Sequence, residues 1–187
     1  VLKLLTQSKA HPHSDRGLDC CSTPAIATEK LLGVERLPHR VWNPCAGLGG
    51  IDAVLRKAGH DVIACDLCDY GTPEVAAGLD FLATIYAPRD CSAIVMNPPY
   101  RWAQQFAEHA LRLVPCVFML GRLAFLESER RARLFNRGHL VRVHVFRKRL
   151  PMMHRHGWNG PRASSAIPFA WFVFNREYRG LPMIDWV

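Results

Sequence analysis

Apolar positions along the chain follow two periods. Short runs rich in β-branched and aromatic residues alternate with stretches in which apolar residues recur every three or four positions. Arg40 to Trp42, Val62 to Cys65, Ala93 to Met96, Val117 to Leu120, Leu140 to Phe146 and Phe169 to Phe174 read as strands. Ile51, Val54, Leu55 and Ala58 share one helical face, and Ala103, Phe106, Ala107, Ala110 and Leu111 share another. Thr23-Pro24 reads as an N-cap followed by proline at the first helical position, opening a helix to about Leu32 that stops near Gly33. Glu127 to Arg137 looks helical and basic.

Strands that alternate with helices predict an α/β fold, a mostly parallel sheet with helices on both faces. The last two strands need no helix between them and can pair antiparallel at one edge. Residues 1 to 19 are polar, rich in His and Pro, and without period; they read as a flexible arm. Residues 20 to 187 read as one domain, long enough to bury its own core. The longest apolar run, Val114 to Gly121, falls well short of the roughly 18 residues that span a bilayer, so no membrane partner is expected.

The candidate chemistry begins at Asn43-Pro44-Cys45-Ala46-Gly47-Leu48-Gly49-Gly50, between a strand and a helix. Gly47 and Gly49 permit a tight turn and close backbone approach to a ligand. The following helix directs its first N–H groups there. Asp52 stands where a third glycine of a dinucleotide fingerprint belongs, and no Lys-Ser/Thr of a phosphate loop follows. Asp66 ends the next strand, near the offset of about 20 residues expected for a carboxylate on ribose hydroxyls. Asp80-Phe81 suits an adenine, with a carboxylate for its amino group and a ring for its face.

Asn97-Pro98-Pro99-Tyr100 is the most specific feature. Two prolines fix φ and remove two donors directly after a buried strand. Asn97 then offers a side-chain oxygen and Pro98 a carbonyl. Two acceptors converging on one NH₂ group engage both its protons and free its lone pair. Tyr100 supplies a face on which a base can stack.

Together these segments resemble the amino methyltransferases of the class I S-adenosylmethionine-dependent fold, above all the DNA adenine-N6 enzymes. Thr23-Pro24 resembles their N-terminal cofactor motif. Asn43 to Gly49 resembles their glycine loop, Asp66 the ribose carboxylate, with Leu67 beside it, and Asp80-Phe81 the adenine-binding pair. Asn97 to Tyr100 matches the catalytic motif letter for letter. The resemblance covers roughly residues 20 to 175. It implies a Rossmann-like, seven-stranded sheet and S-adenosylmethionine as cofactor. The cofactor set is then Thr23, Pro24, Asn43, Cys45, Ala46, Gly47, Gly49, Asp66, Leu67, Asp80, Phe81 and Asn97. The catalytic set is Asn97, Pro98, Pro99 and Tyr100, with direct in-line methyl transfer to nitrogen. Two departures stand out. Asn43 replaces the usual acid of the loop, which weakens the expected contact with the cofactor's ammonium. No separate target-recognition domain is visible.

Charge points the same way. The formal net charge is +8, which favours a polyanionic partner. Arg147, Lys148, Arg149, Arg155, Trp158 and Arg162 form a basic, aromatic-interrupted stretch suited to nucleic acid, DNA in the first instance. An adenine in a duplex has to be flipped out to reach Tyr100. The odd count of seven cysteines suits free thiols in a reducing cytoplasm. Cys65 to Cys68 has no second C-x-x-C pair, so no metal is expected. RNA adenine, a protein glutamine amide, or a catalytically silent binding module of the same fold remain alternative destinations.

Overall fold

A computed structural model of the chain describes residues 22–136, 139–151 and 167–187. The described segments form four α-helices: α1 (Ala25–Val34), α2 (Gly50–Lys57), α3 (Ala103–Leu113) and α4 (Ala132–Asn136). They flank one sheet of eight strands: β1 (Arg40–Asn43), β2 (Asp61–Asp66), β3 (Ala76–Ala77), β4 (Ala93–Met96), β5 (Cys116–Arg122), β6 (Leu140–Val145), β7 (Phe169–Asn175) and β8 (Met183–Trp186). The order across the sheet is β3-β2-β1-β4-β5-β7-β6-β8. Pairing is parallel except where β7 lies between β5 and β6, antiparallel to both.

The alternation of side chains along the strands sorts the core into two layers. Val41, Val95, Phe118, Leu120 and Trp171 face α1 and α2, where Ala27, Leu31, Ile51 and Leu55 pack. Trp42, Ile94, Met96, Met119 and Phe172 face the other side, against Ala107, Ala110 and Leu111 of α3 and Leu134 of α4. Both faces are covered, which is why β4 reads as a continuous apolar run.

Three expectations need correction. The sheet has eight strands, not seven: β8 adds to β6 at the edge. All four of its residues are exposed, so no burial pattern marks it in the sequence. The helix expected from Glu127 to Arg137 is a 3-10 turn at Glu129–Arg131 followed by the five residues of α4. Ser128 delays it by accepting a hydrogen bond from the Arg130 N–H at 3.2 Å. Thr23 does not cap α1: Pro24 occupies that position with no side-chain cap, and the Thr23 hydroxyl is engaged elsewhere.

Parallel strands leave their carboxyl ends on one edge of the sheet. Asn43, Asp66, Met96 and Arg122 end β1, β2, β4 and β5 there. The register Arg122↔Phe169 brings the start of β7 to the same edge, and Val145↔Ala170 brings the end of β6. That edge is where ligands of open α/β sheets bind.

Candidate active site

The loop after β1 is built by backbone bonds that only a glycine-rich segment accepts. Gly47 and Gly49 have φ of 54° and 73°, a region costly for residues with a Cβ. Ala46 N–H donates to the Cys65 carbonyl at 2.9 Å, and Gly49 N–H to the Ala46 carbonyl at 2.9 Å. Gly50 is fixed by a different constraint. A Cβ there would lie 2.5 Å from the Thr23 carbonyl oxygen, so the segment before α1 presses directly onto the start of α2.

Asp66 is the hinge between this loop and the end of β2. Its Oδ2 accepts from Gly47 N–H at 2.8 Å and its Oδ1 from Cys68 N–H at 3.0 Å. A carboxylate has about four lone-pair sites, so each oxygen keeps capacity for a ligand hydroxyl.

Asn43 plays another part. It is fully buried; its Nδ2 donates to Asp52 Oδ1 at 2.8 Å, and its Oδ1 accepts from Cys45 N–H at 3.3 Å. The side chain latches β1 to α2 rather than lining a ligand space. Burial pushes the Asp52 carboxyl up to about 6, against the opposing hydrogen bond from Asn43. An acid at position 43 would set two buried carboxyls against each other, so Asn43 and Asp52 are mutually compensating.

A cavity of ≈ 370 Å³ opens at the carboxyl edge. Its walls bring together Thr23, Cys45, Ala46, Gly47, Asp66, Leu67, Asp80, Phe81 and all four residues Asn97 to Tyr100. Pro24, Asn43 and Gly49, expected at the cofactor, do not line it: they shape the elements behind it. Cys68, Tyr70, Leu79, Leu82, Trp102 and Phe106 also line it and were not foreseen. Trp102 and Phe106 lie just beyond Tyr100 on the following turn and α3; their proximity to the motif is the signal that could have found them. Phe81 is only 2% exposed and packs against Trp42, Phe106 and His109, with ring centroids 5.3, 5.1 and 4.9 Å away. It belongs to the core as much as to the cavity. Asp80 Oδ1 caps the short turn by accepting from Leu82 N–H at 3.0 Å.

Asn97 follows β4 directly. Its Nδ2 donates to Thr23 Oγ1 at 3.1 Å, across 74 residues of sequence. That bond fixes the amide and turns the opposite atom, Oδ1, into a buried acceptor with no partner among the described residues. The Pro99 carbonyl is engaged by Trp102 N–H at 2.8 Å. The Tyr100 ring lies 5.7 Å from that of Phe169, and the Arg122 guanidinium sits over it at 4.5 Å from the centroid. Burial pushes the Cys45 thiol well up, with Asp66 and Asp52 adding to it, so this cavity-wall cysteine stays a neutral thiol rather than a nucleophile.

Arg147, Lys148 and Arg149 are exposed immediately after β6, on the same edge. Arg155, Trp158 and Arg162 lie outside the described residues. Among the described residues no three His, Cys, Asp or Glu side chains converge as a metal site, and no helix is long and apolar enough to cross a membrane.

No protein-family model and no curated relative matches the sequence. Solved structures do match the fold. A TehB-like SAM-dependent methyltransferase from Corynebacterium glutamicum gives a TM-score of 0.51 at 15% identity, over 81% of this chain and 87% of that one. The 23S rRNA methyltransferase ErmE gives 0.53 at 16% identity, over 84% and 68%. A dimethyladenosine transferase from Plasmodium falciparum gives 0.50 at 13% identity, over 83% and 62%. The chain therefore has the Rossmann-like fold of the S-adenosylmethionine-dependent methyltransferases.

Proposed function

We propose that the protein is an S-adenosylmethionine-dependent methyltransferase acting on the exocyclic amino group of a nucleobase, adenine N6 of DNA in the first instance. The observation that carries this reading is the unpartnered, buried Oδ1 of Asn97 beside a cavity that also holds the Asp66 carboxylate.

The residues present fit the cofactor. Gly47 offers backbone without a side chain, Asp66 retains acceptor sites for two ribose hydroxyls, and Leu67 and Leu82 give apolar walls near Asp80 for an adenine. Asn43 was the one departure that weakened the expected fit. Its side chain engages Asp52 and Cys45 and does not line the cavity, so the exchange of acid for amide alters a latch rather than a ligand contact. Of the two grounds for a silent binding module, Asn43 and the lack of a visible recognition domain, the first then carries less weight.

When bound, S-adenosylmethionine supplies an electrophilic methyl group on a sulfonium. Asn97 Oδ1 accepts one proton of the target amine and the Pro98 carbonyl the other, which moves the nitrogen toward tetrahedral geometry. The methyl that the cofactor would supply would pass to the amine nitrogen, leaving a neutral thioether, and the amine's surplus proton would go to water. Tyr100 orients the base through its ring. No covalent enzyme intermediate is needed. Arg147, Lys148 and Arg149 place positive charge on the edge where a phosphodiester backbone would lie.

The test is incubation with methyl-labelled cofactor and, separately, DNA, RNA and a glutamine-containing peptide, followed by hydrolysis. Label on N6-methyladenine from DNA is expected. One of the structural neighbours, ErmE, is named for 23S rRNA, so label on adenine from RNA alone would move the substrate. Label on no nucleic acid would refute the proposal.

A further inference from the structure

Among the described residues, three guanidinium groups lie over aromatic rings at or near the carboxyl edge. Arg131 lies over Phe125 at 4.9 Å, and its Nη2 donates to the Ala124 carbonyl at 3.0 Å and to the Glu127 carbonyl. Arg101 lies over its neighbour Trp102 at 5.3 Å, within the same short turn. Arg122 differs from both. It ends β5, three residues beyond Met119, whose register partner Met96 ends β4 just before Asn97. It therefore overhangs the edge beside the Asn97–Tyr100 loop, and it is the nearest of the three to its ring, 4.5 Å from the Tyr100 centroid.

Its donors are uncommitted. Arg122 is exposed, and among the described residues it has no carboxylate within salt-bridge range and no side-chain hydrogen bond. Arginine combines a planar face that stacks on a ring with a fork of five N–H donors that matches a phosphate. Here the face is engaged and the fork is not. Phe169, the cross-strand partner of Arg122, supports the same tyrosine ring from β7.

We propose that Arg122 is a positioning residue for the target nucleotide. Its guanidinium steadies the Tyr100 ring and its open donors engage the phosphate beside the extruded base. The inference rests on the nucleic-acid reading above and names the group that connects base stacking to backbone contact. It also accounts for how a chain can hold a polynucleotide near the site with a contact inside the core domain itself.

The test is binding of a labelled adenine-containing oligonucleotide across a potassium chloride series, with wild type, Arg122→Ala, Arg122→Gln and Arg122→Lys. Arg122→Ala should weaken binding about tenfold at low salt and lower the salt slope by about one, the signature of one lost phosphate contact. Arg122→Lys should restore the slope while methyl transfer stays below wild type, because an ammonium keeps the charge and loses the planar stack. Thermal unfolding monitors each variant, and Arg122→Gln replaces Arg122→Ala if the latter melts early. Unchanged affinity and slope in a folded Arg122→Ala or Arg122→Gln protein would overturn the inference while leaving the proposed function standing. A wild type that binds the oligonucleotide with an Arg122-dependent slope but transfers no methyl would refute the function and keep the contact. A wild type that binds no oligonucleotide overturns both.

Discussion

Two buried polar groups in this molecule use the same kinds of atoms to opposite ends. At the end of α1, Glu35 accepts from Arg142 and from His144 Nε2 at 2.7 Å, both on β6. Burial alone would raise the Glu35 carboxyl, but the hydrogen bonds from His144 and Arg142 outweigh it and hold the group below its ordinary value. Each carboxylate oxygen is engaged. At the carboxyl edge, Asn97 is anchored through Nδ2 and left open at Oδ1, and Asp66 keeps acceptor capacity on both oxygens. The Glu35 carboxylate, engaged on both oxygens, ties a helix to a sheet, although His144 Nδ1 is buried with no partner among the described residues. A polar group left open beside a cavity has capacity reserved for something that binds there. The difference lies in which valences the fold leaves vacant, not in residue type.

The comparison can be broken first at its open side. Asn97→Ala should lower methyl transfer about a thousandfold, the scale of losing a group that acts on the transition state, while calorimetry finds cofactor affinity nearly unchanged. Equal activity in the two proteins would show that the vacant acceptor does no chemistry. The closed side should respond in the opposite currency. Glu35→Ala leaves the part-exposed Arg142 without its partner and should cost about 1–3 kcal/mol in denaturant unfolding, with cofactor affinity per folded molecule unaltered.

Asp52 sharpens the contrast because it is closed on one oxygen and unpartnered on the other among the described residues. Its folded value of about 6 lies above its ordinary 3.8. Protonation therefore favours the fold: the stability it contributes is complete below pH 3.8 and lost as pH rises through 6. Asp52→Asn should stabilise the protein at pH 7.5 by up to about 3 kcal/mol and by almost nothing at pH 4, read as the change in unfolding midpoint. Equal midpoints at both pH values would show that the carboxyl is not held up by burial. The smallest effect expected is at Asp66. Asp66→Ala should weaken cofactor binding about tenfold, the scale of one hydrogen bond to a charged group, before any fall in turnover at saturating cofactor.

Much of this was readable before the structure because the site sits where sequence signals are strongest. β4 was legible to the residue because it is apolar on both faces and ends at a proline pair. The glycine loop and Asp66 were legible because positive φ and a strand-end carboxylate have few other uses in that order. What stayed hidden depended on contacts distant in sequence. Nothing near Asn43 announces Asp52 as its partner, and nothing near Thr23 announces Asn97. Thr23 therefore reads locally as a helix cap, although its hydroxyl is engaged by Asn97 Nδ2. Phe81 reads as an adenine cover because the three rings that enclose it come from β1 and α3. β8 has no buried residue and so no pattern to read. The expected strand stopped at Leu120, and only the extension of β5 to Arg122 beside β4 sets that side chain over Tyr100.

The proposed methyl transfer depends on the Asn97 acceptor, and cells provide the most direct reading of it. Nucleosides from cells expressing the wild type should contain N6-methyladenine that is absent from cells expressing equal amounts of folded Asn97→Ala protein. The same level of modified adenine in both, or none in either, would contradict it.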